Sequence, residues 1–305
     1  MGLGLIFPGQ GSQQVGMGAE FSANHGLAAQ LFDEANDALG FDLKRICLAG
    51  PEDELTLTYH AQPAILTVSL IAFRLMAERA EISPLNVAGH SMGEYTALVA
   101  VGAMDFADAV RTVHQRGKFM QEATPVGVGA MAAILGMEAE ELQRLCEEEA
   151  HGQVVAPANF NAPGQIVISG DAGAVKRVLA RGKGKLLPVS APFHSALMVP
   201  AAERMAEVLE AVNFSDASAP LMANASNEFL TQAGDFPASL VAQITAPVRW
   251  DTGIQAMIKA GAKRFIEAGH GKILAGMNRR IDKSVETLGV QDEASLKATL
   301  ETISR

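Results

Sequence analysis

The chain of 305 residues has a formal net charge of −10 and is 49% hydrophobic and 19% charged. This balance is typical of a globular protein with a sizeable core and excludes a disordered chain. The acidic charge argues against nucleic acid as a partner, and no apolar run reaches the roughly 18 to 20 residues that a membrane-spanning helix needs.

The two cysteines, Cys47 and Cys146, form neither a disulfide framework nor a metal-binding spacing. The start of the chain, "MGLGLIFPGQG", lacks the basic residues and the long apolar segment of a signal peptide. We therefore expect a reduced, cytoplasmic compartment, no metal and no membrane.

The first third of the chain alternates strands and helices. Strands are predicted over "LGLIF" (3–7) and "NVAGH" (86–90). Helices are predicted over 28–40, 62–80, 94–103 and 105–123, with Asp105 as the N-cap of the last. This alternation predicts an α/β fold with a parallel sheet covered by helices on both faces.

The middle of the chain changes pattern to β-α-β-β-α-β. Strands are predicted over 129–136, 153–160, 164–170 and 185–190, and helices over 138–150 and 171–182, the second capped by Asp171. This is the ferredoxin-like order. We predict a ferredoxin-like small subdomain over 126–194, inserted into a hydrolase-like large domain formed by 1–125 and 195–305. Two further predicted strands, "RFIEAG" and "SVETLGV", complete the sheet of the large domain.

A serine lies between two glycines where a predicted strand becomes a predicted helix, in "GHSMG" (89–93). A G-x-S-x-G turn in this context holds the serine on a tight corner, and the helix N-terminus supplies N–H groups and a positive dipole end. We therefore predict that Ser91 is a nucleophile.

Two histidines are candidate bases for Ser91. His194 follows the last predicted strand of the insert, whereas His270 lies between glycines after "RFIEA". The adjacent His90 should point away from the serine. An α/β-hydrolase would use Ser91, then Asp235 or Asp251, then His270, but the oxyanion loop of that fold is missing.

The loop "FPGQGSQ" (7–13) follows the first predicted strand. Gly9 and Gly11 free the backbone around Gln10, so we expect its N–H and that of Met92 to form an oxyanion hole. The loop is not a dinucleotide fingerprint, because Gln14 stands where the third glycine belongs.

Together these segments resemble the malonyl-CoA:acyl carrier protein transacylase family. The resemblance covers nearly the whole chain, in the family's order and spacing. The matching stretches are "FPGQGSQ", "QPAIL", "GHSMGEY", "QRGKFMQEA", "GAMAAILG", "NFNAPGQIVISG", "PVSAPFHSALM" and "APVRW".

The resemblance implies roles for further residues. It makes His194 the base, oriented by the backbone carbonyl of Arg249, and makes Arg116 the partner of the malonyl carboxylate, a role that suits a planar guanidinium. Phe193 resembles members that select malonyl groups. Cleft-lining positions fall on Gln62, Asn159 and Asn161.

Two positions depart from the family pattern: His270 stands where proline or serine is frequent, and Met92 where leucine is usual. The implied partners are malonyl-CoA and acyl carrier protein, with no cofactor and a monomeric enzyme. Since the carrier is acidic, we expect it to dock on one of two basic clusters. These are Lys176, Arg177, Arg181, Lys183 and Lys185 on the insert, and Lys272, Arg279 and Arg280 near the C-terminus.

Three alternatives stay open at this point: an acyltransferase that serves a polyketide synthase, a serine esterase that uses His270, and a non-catalytic subunit that binds carrier protein.

Overall fold

The computed structural model describes residues 2–189 and 191–304. Met1, Ser190 and Arg305 lie outside the described residues. The two ends of the predicted large domain and the last position of the strand predicted over 185–190 therefore also lie outside them.

The described residues form two β-sheets with helices packed against them. The strands are β1 (Leu3–Phe7), β2 (Asn86–Gly89), β3 (Gly129–Leu135), β4 (Val155–Ala162), β5 (Gln165–Asp171), β6 (Gly184–Leu186), β7 (Leu221–Met222), β8 (Phe229–Leu230), β9 (Arg264–Ala268) and β10 (Glu286–Val290). The helices are α1 (Ala19–Asn24), α2 (Gly26–Leu39), α3 (Leu43–Ala49), α4 (Glu52–Thr56), α5 (Thr58–Ala77), α6 (Gly93–Ala100), α7 (Phe106–Glu122), α8 (Ala139–Ala150), α9 (Ala172–Arg181), α10 (Val199–Glu210), α11 (Phe236–Thr245), α12 (Trp250–Lys259), α13 (Ile273–Ile281) and α14 (Glu293–Ile303).

The larger sheet has the order β10-β9-β1-β2-β7-β8. Its strands pair in parallel except β8, which is antiparallel to β7 at the edge. The parallel sheet is thus confirmed, whereas the two-residue strands β7 and β8 are too short to show any hydrophobic period. Because β1, β2 and β9 are parallel neighbours, the loops that follow them meet at one edge of the sheet.

Helix α5 begins at Thr58, four positions before the predicted start, and contains Pro63. Proline has no N–H to donate to the carbonyl of Tyr59, and His114 Nδ1 lies 2.7 Å from that oxygen instead. The helix has 20 residues and is long and apolar enough to cross a membrane, which corrects the prediction that no segment reaches this length. Its most apolar window is 78% buried, as in the core helix of a folded protein.

The smaller sheet has the order β4-β5-β3-β6 and is antiparallel. With α8 and α9 it gives the predicted β-α-β-β-α-β arrangement, around a core that includes Ile134, Leu142, Ile168 and Val178. Strand β6 ends at Leu186, two residues before Pro188, which cannot donate to a ladder.

The prediction for Asp171 is wrong in one respect. The residue occupies the N-cap position of α9 without a capping side-chain bond. Its Oδ2 instead accepts from the N–H of Val154 at 2.7 Å, so the carboxylate fastens the start of the neighbouring strand. Asp105, by contrast, caps α7 as predicted by accepting from the N–H groups of Ala107 and Asp108.

The smaller sheet is fastened to the rest of the chain through β4. The N–H of Phe160 donates to the carbonyl of Val248 at 2.8 Å, and the N–H of Val248 donates to the carbonyl of Ala158 at 2.8 Å. These bonds close one side of a cleft between the two sheets. The division at 126 and 194 stays a prediction.

The turn between β2 and α6 requires glycine at position 89. A Cβ placed there would lie 1.9 Å from the carbonyl carbon and oxygen of Gly93, which belong to the backbone and cannot move aside.

We expect Gly89→Ala to lower the free energy of unfolding by more than about 2 kcal/mol, measured by urea denaturation. The matched control is Gly26→Ala, where a Cβ meets nothing within 4 Å. An equal effect of the two substitutions would contradict this account of the turn.

Candidate active site

Ser91 lies on the turn between β2 and α6, with a φ of 52°. This left-handed conformation is uncommon for a residue other than glycine and is typical of strained functional positions. The N–H of Ser91 donates to Asn224 Oδ1 at 2.7 Å, and Asn224 Nδ2 donates to the carbonyl of Gly89 at 2.8 Å. The turn is thereby held by the segment that follows β7, the strand next to β2.

His194 reaches Ser91 from the other side of the cleft. Its φ is 56°, and its Nε2 lies 2.8 Å from Ser91 Oγ. Its Nδ1 lies 2.8 Å from the carbonyl oxygen of Gln243. Because a carbonyl only accepts, Nδ1 carries the proton and Nε2 is free to accept the serine proton. The pair has the geometry of a nucleophile and its base.

The carbonyl that orients His194 is that of Gln243, so the prediction of Arg249 is wrong. The carbonyl of Arg249 accepts from the N–H of Gly253 at 3.0 Å, as the first hydrogen bond of α12. Gln243 lies in the last turn of α11, where a helical carbonyl has no intrahelical partner. A backbone carbonyl in the last turn of a helix is free to accept from the imidazole, whereas a carbonyl at the start of a helix already accepts an intrahelical bond.

Burial and the nearby Arg116 cation lower the pKa of His194 to about 3. The imidazole is 4% exposed, so its charged form is poorly solvated. The unfolded chain binds this proton more readily than the folded one. The free energy of unfolding therefore falls, on account of this group, as the pH drops from about 6.5 towards 3.

Arg116 extends from α7 into the same cleft and is 1% exposed. Its Nη1 donates to Gln62 Oε1 at 2.9 Å, and its Nη2 donates to Gln243 Oε1 at 2.8 Å and to Ser91 Oγ at 3.1 Å. Within residues 2–189 and 191–304, its buried Nε has no hydrogen-bond partner. A buried cation with an unused N–H donor beside the serine is suited to bind an anion in the cleft.

The predicted oxyanion donors border the same space. Gln10 and Met92 both line the cavity in front of Ser91. Within the described residues, neither backbone N–H donates to a protein acceptor. The Gln10 side chain turns aside to Thr58, with Nε2 to Oγ1 at 3.5 Å.

The cavity has a volume of about 430 Å³. It brings together most of the residues selected from the sequence: Gln10, Gln62, Ser91, Met92, Arg116, Asn159, Phe193 and His194. Asn161 lines a neighbouring cavity of about 140 Å³, which Gln10, His90 and Asn159 also border. Arg249 lines neither of them.

His90 borders the cavity, but its imidazole contacts Asn161 and not Ser91. Its Nε2 is 2.9 Å from Asn161 Oδ1, and burial lowers the pKa of the imidazole. This bond joins the serine turn to β4 of the smaller sheet.

The groups of the esterase alternative are not brought to Ser91. His270 Nε2 lies 3.2 Å from Gln14 Oε1 and does not line the cavity. Asp235 is at the start of α11, and Asp251 accepts from the N–H of Thr252 at 2.7 Å. The structure therefore favours His194 over His270 as the base.

Three buried residues behind the serine escaped the sequence prediction: Glu94, Asn224 and Gln243. Glu94 accepts from the N–H of Asn224 and from Gln243 Nε2, and burial raises its pKa to about 8 while these donors oppose the rise. Glu94 belongs to "GHSMGEY", but its position on a helix gave no indication of burial. Gln243 lies far from any motif.

Among the described residues, no group of three or more His, Cys, Asp or Glu side chains could hold a metal ion. The expectation that the protein uses no cofactor stays a prediction.

Comparison with known proteins gives a consistent picture. The family model described as "Acyl transferase domain" matches residues 5–300. The chain belongs to the acyl transferase family. The family resemblance predicted from the sequence is thus confirmed.

The malonyl CoA-acyl carrier protein transacylase of Bacillus subtilis (strain 168) is 44% identical over 308 residues, covering 99% of this chain and 97% of that protein. The protein of the same name from Escherichia coli (strain K12) is 43% identical over 303 residues, covering 97% and 98%.

Solved structures agree with this fold. That of the malonyl CoA-acyl carrier protein transacylase from Coxiella burnetii has a TM-score of 0.98 at 38% identity, covering 100% of this chain and 98% of that one. A malonyl-transacylase in complex with its type II PKS acyl-carrier protein has a TM-score of 0.96 at 41% identity, covering 99% and 100%. The predicted α/β fold class is confirmed.

Because the pKa of His194 is about 3, we expect its imidazole to be neutral from pH 5 to 8. The rate at which phenylmethylsulfonyl fluoride modifies Ser91 should therefore show no inflection near pH 6.5. The rate should be low at every pH in His194→Gln. A sigmoidal loss of the wild-type rate centred near pH 6.5 would contradict the assignment.

Proposed function

We propose that this protein transfers a malonyl group from malonyl-CoA to the phosphopantetheine thiol of acyl carrier protein, through an ester on Ser91. One observation carries the proposal: Ser91 Oγ is within hydrogen-bonding distance of both His194 Nε2, at 2.8 Å, and Arg116 Nη2, at 3.1 Å. A nucleophile, its base and a cation for a carboxylate thus meet at one oxygen. The names of the relatives support the same substrates.

The first half-reaction forms the acyl-enzyme. Ser91 Oγ attacks the thioester carbonyl carbon while its proton passes to His194 Nε2. The N–H groups of Gln10 and Met92 stabilise the oxyanion. The C–S bond then breaks, and the departing sulfur takes the proton from the imidazolium, so that CoA leaves as a thiol and malonyl-Ser91 remains.

The second half-reaction runs in the opposite sense. The phosphopantetheine thiol of the carrier gives its proton to His194 and attacks the ester carbonyl. The C–O bond breaks, Ser91 recovers its proton, and malonyl leaves on the carrier. This is a ping-pong transfer in which each substrate uses the same base.

Arg116 and Phe193 determine which acyl group enters. The guanidinium pairs with the free carboxylate of the malonyl group, and this pairing places the thioester carbonyl at Ser91 Oγ. Phe193 precedes His194 and lines the cavity, where it would crowd an α-methyl branch.

A polyketide carrier is the second candidate acceptor, since one structural neighbour is a complex with a type II PKS carrier protein. We further propose that the enzyme is a cytoplasmic monomer that supplies fatty acid biosynthesis.

The two basic clusters differ in how many of their charges are already paired. On the insert, Arg181 contacts Glu148 and Glu149, and Arg177 contacts Glu149. Near the C-terminus, Lys272, Arg279 and Arg280 are exposed, and none contacts a carboxylate within 4.0 Å among the described residues. This cluster lies on or next to α13, whose Ile273, Leu274 and Met277 border the cavity beside Gln10. We therefore assign carrier docking to the α13 cluster.

Replacing Arg116 tests the function. Wild type should malonylate carrier protein and strongly prefer malonyl-CoA to acetyl-CoA. In Arg116→Ala the malonyl transfer rate should fall about 100-fold or more, while acetyl transfer changes little, because malonyl has a free carboxylate to bind and acetyl has none. Rates are measured by the mass of the acylated carrier. Absence of malonyl transfer by wild type, or an unchanged preference in the variant, would overturn the proposal.

The docking assignment predicts a selective change in KM. Arg279→Glu with Arg280→Glu should raise the KM for carrier protein about tenfold and leave the KM for malonyl-CoA unchanged. The matched control is Lys176→Glu with Lys183→Glu, which reverses two exposed charges on the insert. A larger effect of the control pair would move the docking site to the insert.

A further inference from the structure

We propose that Glu94 is a positioning residue that orients Arg116 for the acyl carboxylate by acting through Gln243. The inference rests on the proposed function, since it concerns how Arg116 selects a malonyl group. Glu94 follows the serine turn in the first turn of α6 and is 0% exposed. It contacts no part of the cavity.

The hydrogen bonds that connect Arg116 to Glu94 through the Gln243 side chain have only one possible direction. A guanidinium only donates, so the atom of Gln243 that faces Arg116 at 2.8 Å must be the carbonyl Oε1. Gln243 Nε2 therefore faces the other way and donates to the carbonyl of Ser91 at 2.9 Å and to Glu94 Oε2. The orientation of this amide is fixed by its neighbours at both ends.

Position 94 consequently needs two acceptors. Its second oxygen, Oε1, accepts from the backbone N–H of Asn224, a donor that cannot be reversed. A carboxylate meets both demands, but a glutamine has one acceptor and two donors. A glutamine at 94 that accepts from Asn224 would turn its NH₂ towards Gln243 Nε2. Gln243 would then have to flip and present its own NH₂ to Arg116.

Charge gives the same arrangement a function. Arg116 is 1% exposed, and within the described residues no carboxylate contacts it. Burial raises the pKa of Glu94, but both of its oxygens accept from donors whose direction is fixed, and these two bonds favour the carboxylate form. In that form Glu94 is an anion on the other side of the Gln243 amide. Its charge and Tyr95 oppose the burial that lowers the pKa of Arg116. A carboxylate in direct contact would occupy the donors that a malonyl group needs. Glu94 instead compensates the charge through Gln243, and Nε of Arg116 keeps no hydrogen-bond partner among the residues that the structure describes.

The first test is Glu94→Gln, with the ratio of malonyl to acetyl acylation of Ser91 as the readout. We expect this ratio to fall about tenfold, through a lower rate and higher KM for malonyl-CoA, with little change for acetyl-CoA. The matched control is Glu267→Gln, which alters another buried carboxylate that accepts two backbone N–H groups, from Leu274 and Ala275. The control should keep the wild-type ratio even where its stability falls.

A second variant keeps the proposal testable should Glu94→Gln not fold. Gln243→Met removes the three hydrogen bonds of the side chain, to Arg116, Glu94 and the carbonyl of Ser91, but retains the backbone carbonyl that holds His194. It should lower the ratio in the same way, and the double variant should be no worse than Gln243→Met alone, because both changes interrupt one path.

An unchanged ratio in either single variant, or additive losses in the double variant, would overturn the role of Glu94 while leaving the proposed function intact. Absence of a malonyl ester on wild type would overturn both. Equal losses of malonyl and acetyl acylation would show a general structural role and would likewise overturn the proposal.

Discussion

The contact between Ser91 Oγ and His194 Nε2 is the constraint on which the rest of the site depends. It joins two residues 103 positions apart, each held at a positive φ on its own turn. Neither conformation is favourable for an isolated chain. The glycine-lined turn, the Asn224 bonds and the Gln243 carbonyl together hold both residues there, so the strain is borne by the surrounding fold.

The Arg116 cation beside this pair affects the base in two opposite ways. Arg116 helps to lower the pKa of His194, which weakens the base, yet it also keeps the imidazole neutral and ready to accept a proton. The cation itself is buried, and no carboxylate of the described part of the chain contacts it. The polar residues behind the serine stabilise that charge while leaving the cavity open to an anionic acyl group. In the proposed mechanism, selectivity and reactivity thus depend on the same guanidinium.

Much of the fold follows from hydrophobic periodicity: the parallel sheet, the β-α-β-β-α-β insert and Asp105 as a cap are all readable in the chain. Ser91, His194 and Arg116 are found because they stand in contiguous motifs. Gln243 and Asn224 are not, because their roles arise from tertiary contacts with residues that are distant in the chain, 49 positions away for Gln243 with His194 and 133 for Asn224 with Ser91. The carbonyl that orients His194 belongs to Gln243 and not to Arg249, because the sequence does not show which helix end faces the imidazole. Asp171 occupies its predicted position but bonds a neighbouring strand.

The most direct test of the central contact is the intact mass of the protein after brief incubation with malonyl-CoA. Wild type should gain a single malonyl group, located on Ser91 by peptide mapping. The adduct should be absent from Ser91→Ala and should form slowly in His194→Ala. A wild-type protein that gains no malonyl group, or an adduct that persists in Ser91→Ala, would contradict the account.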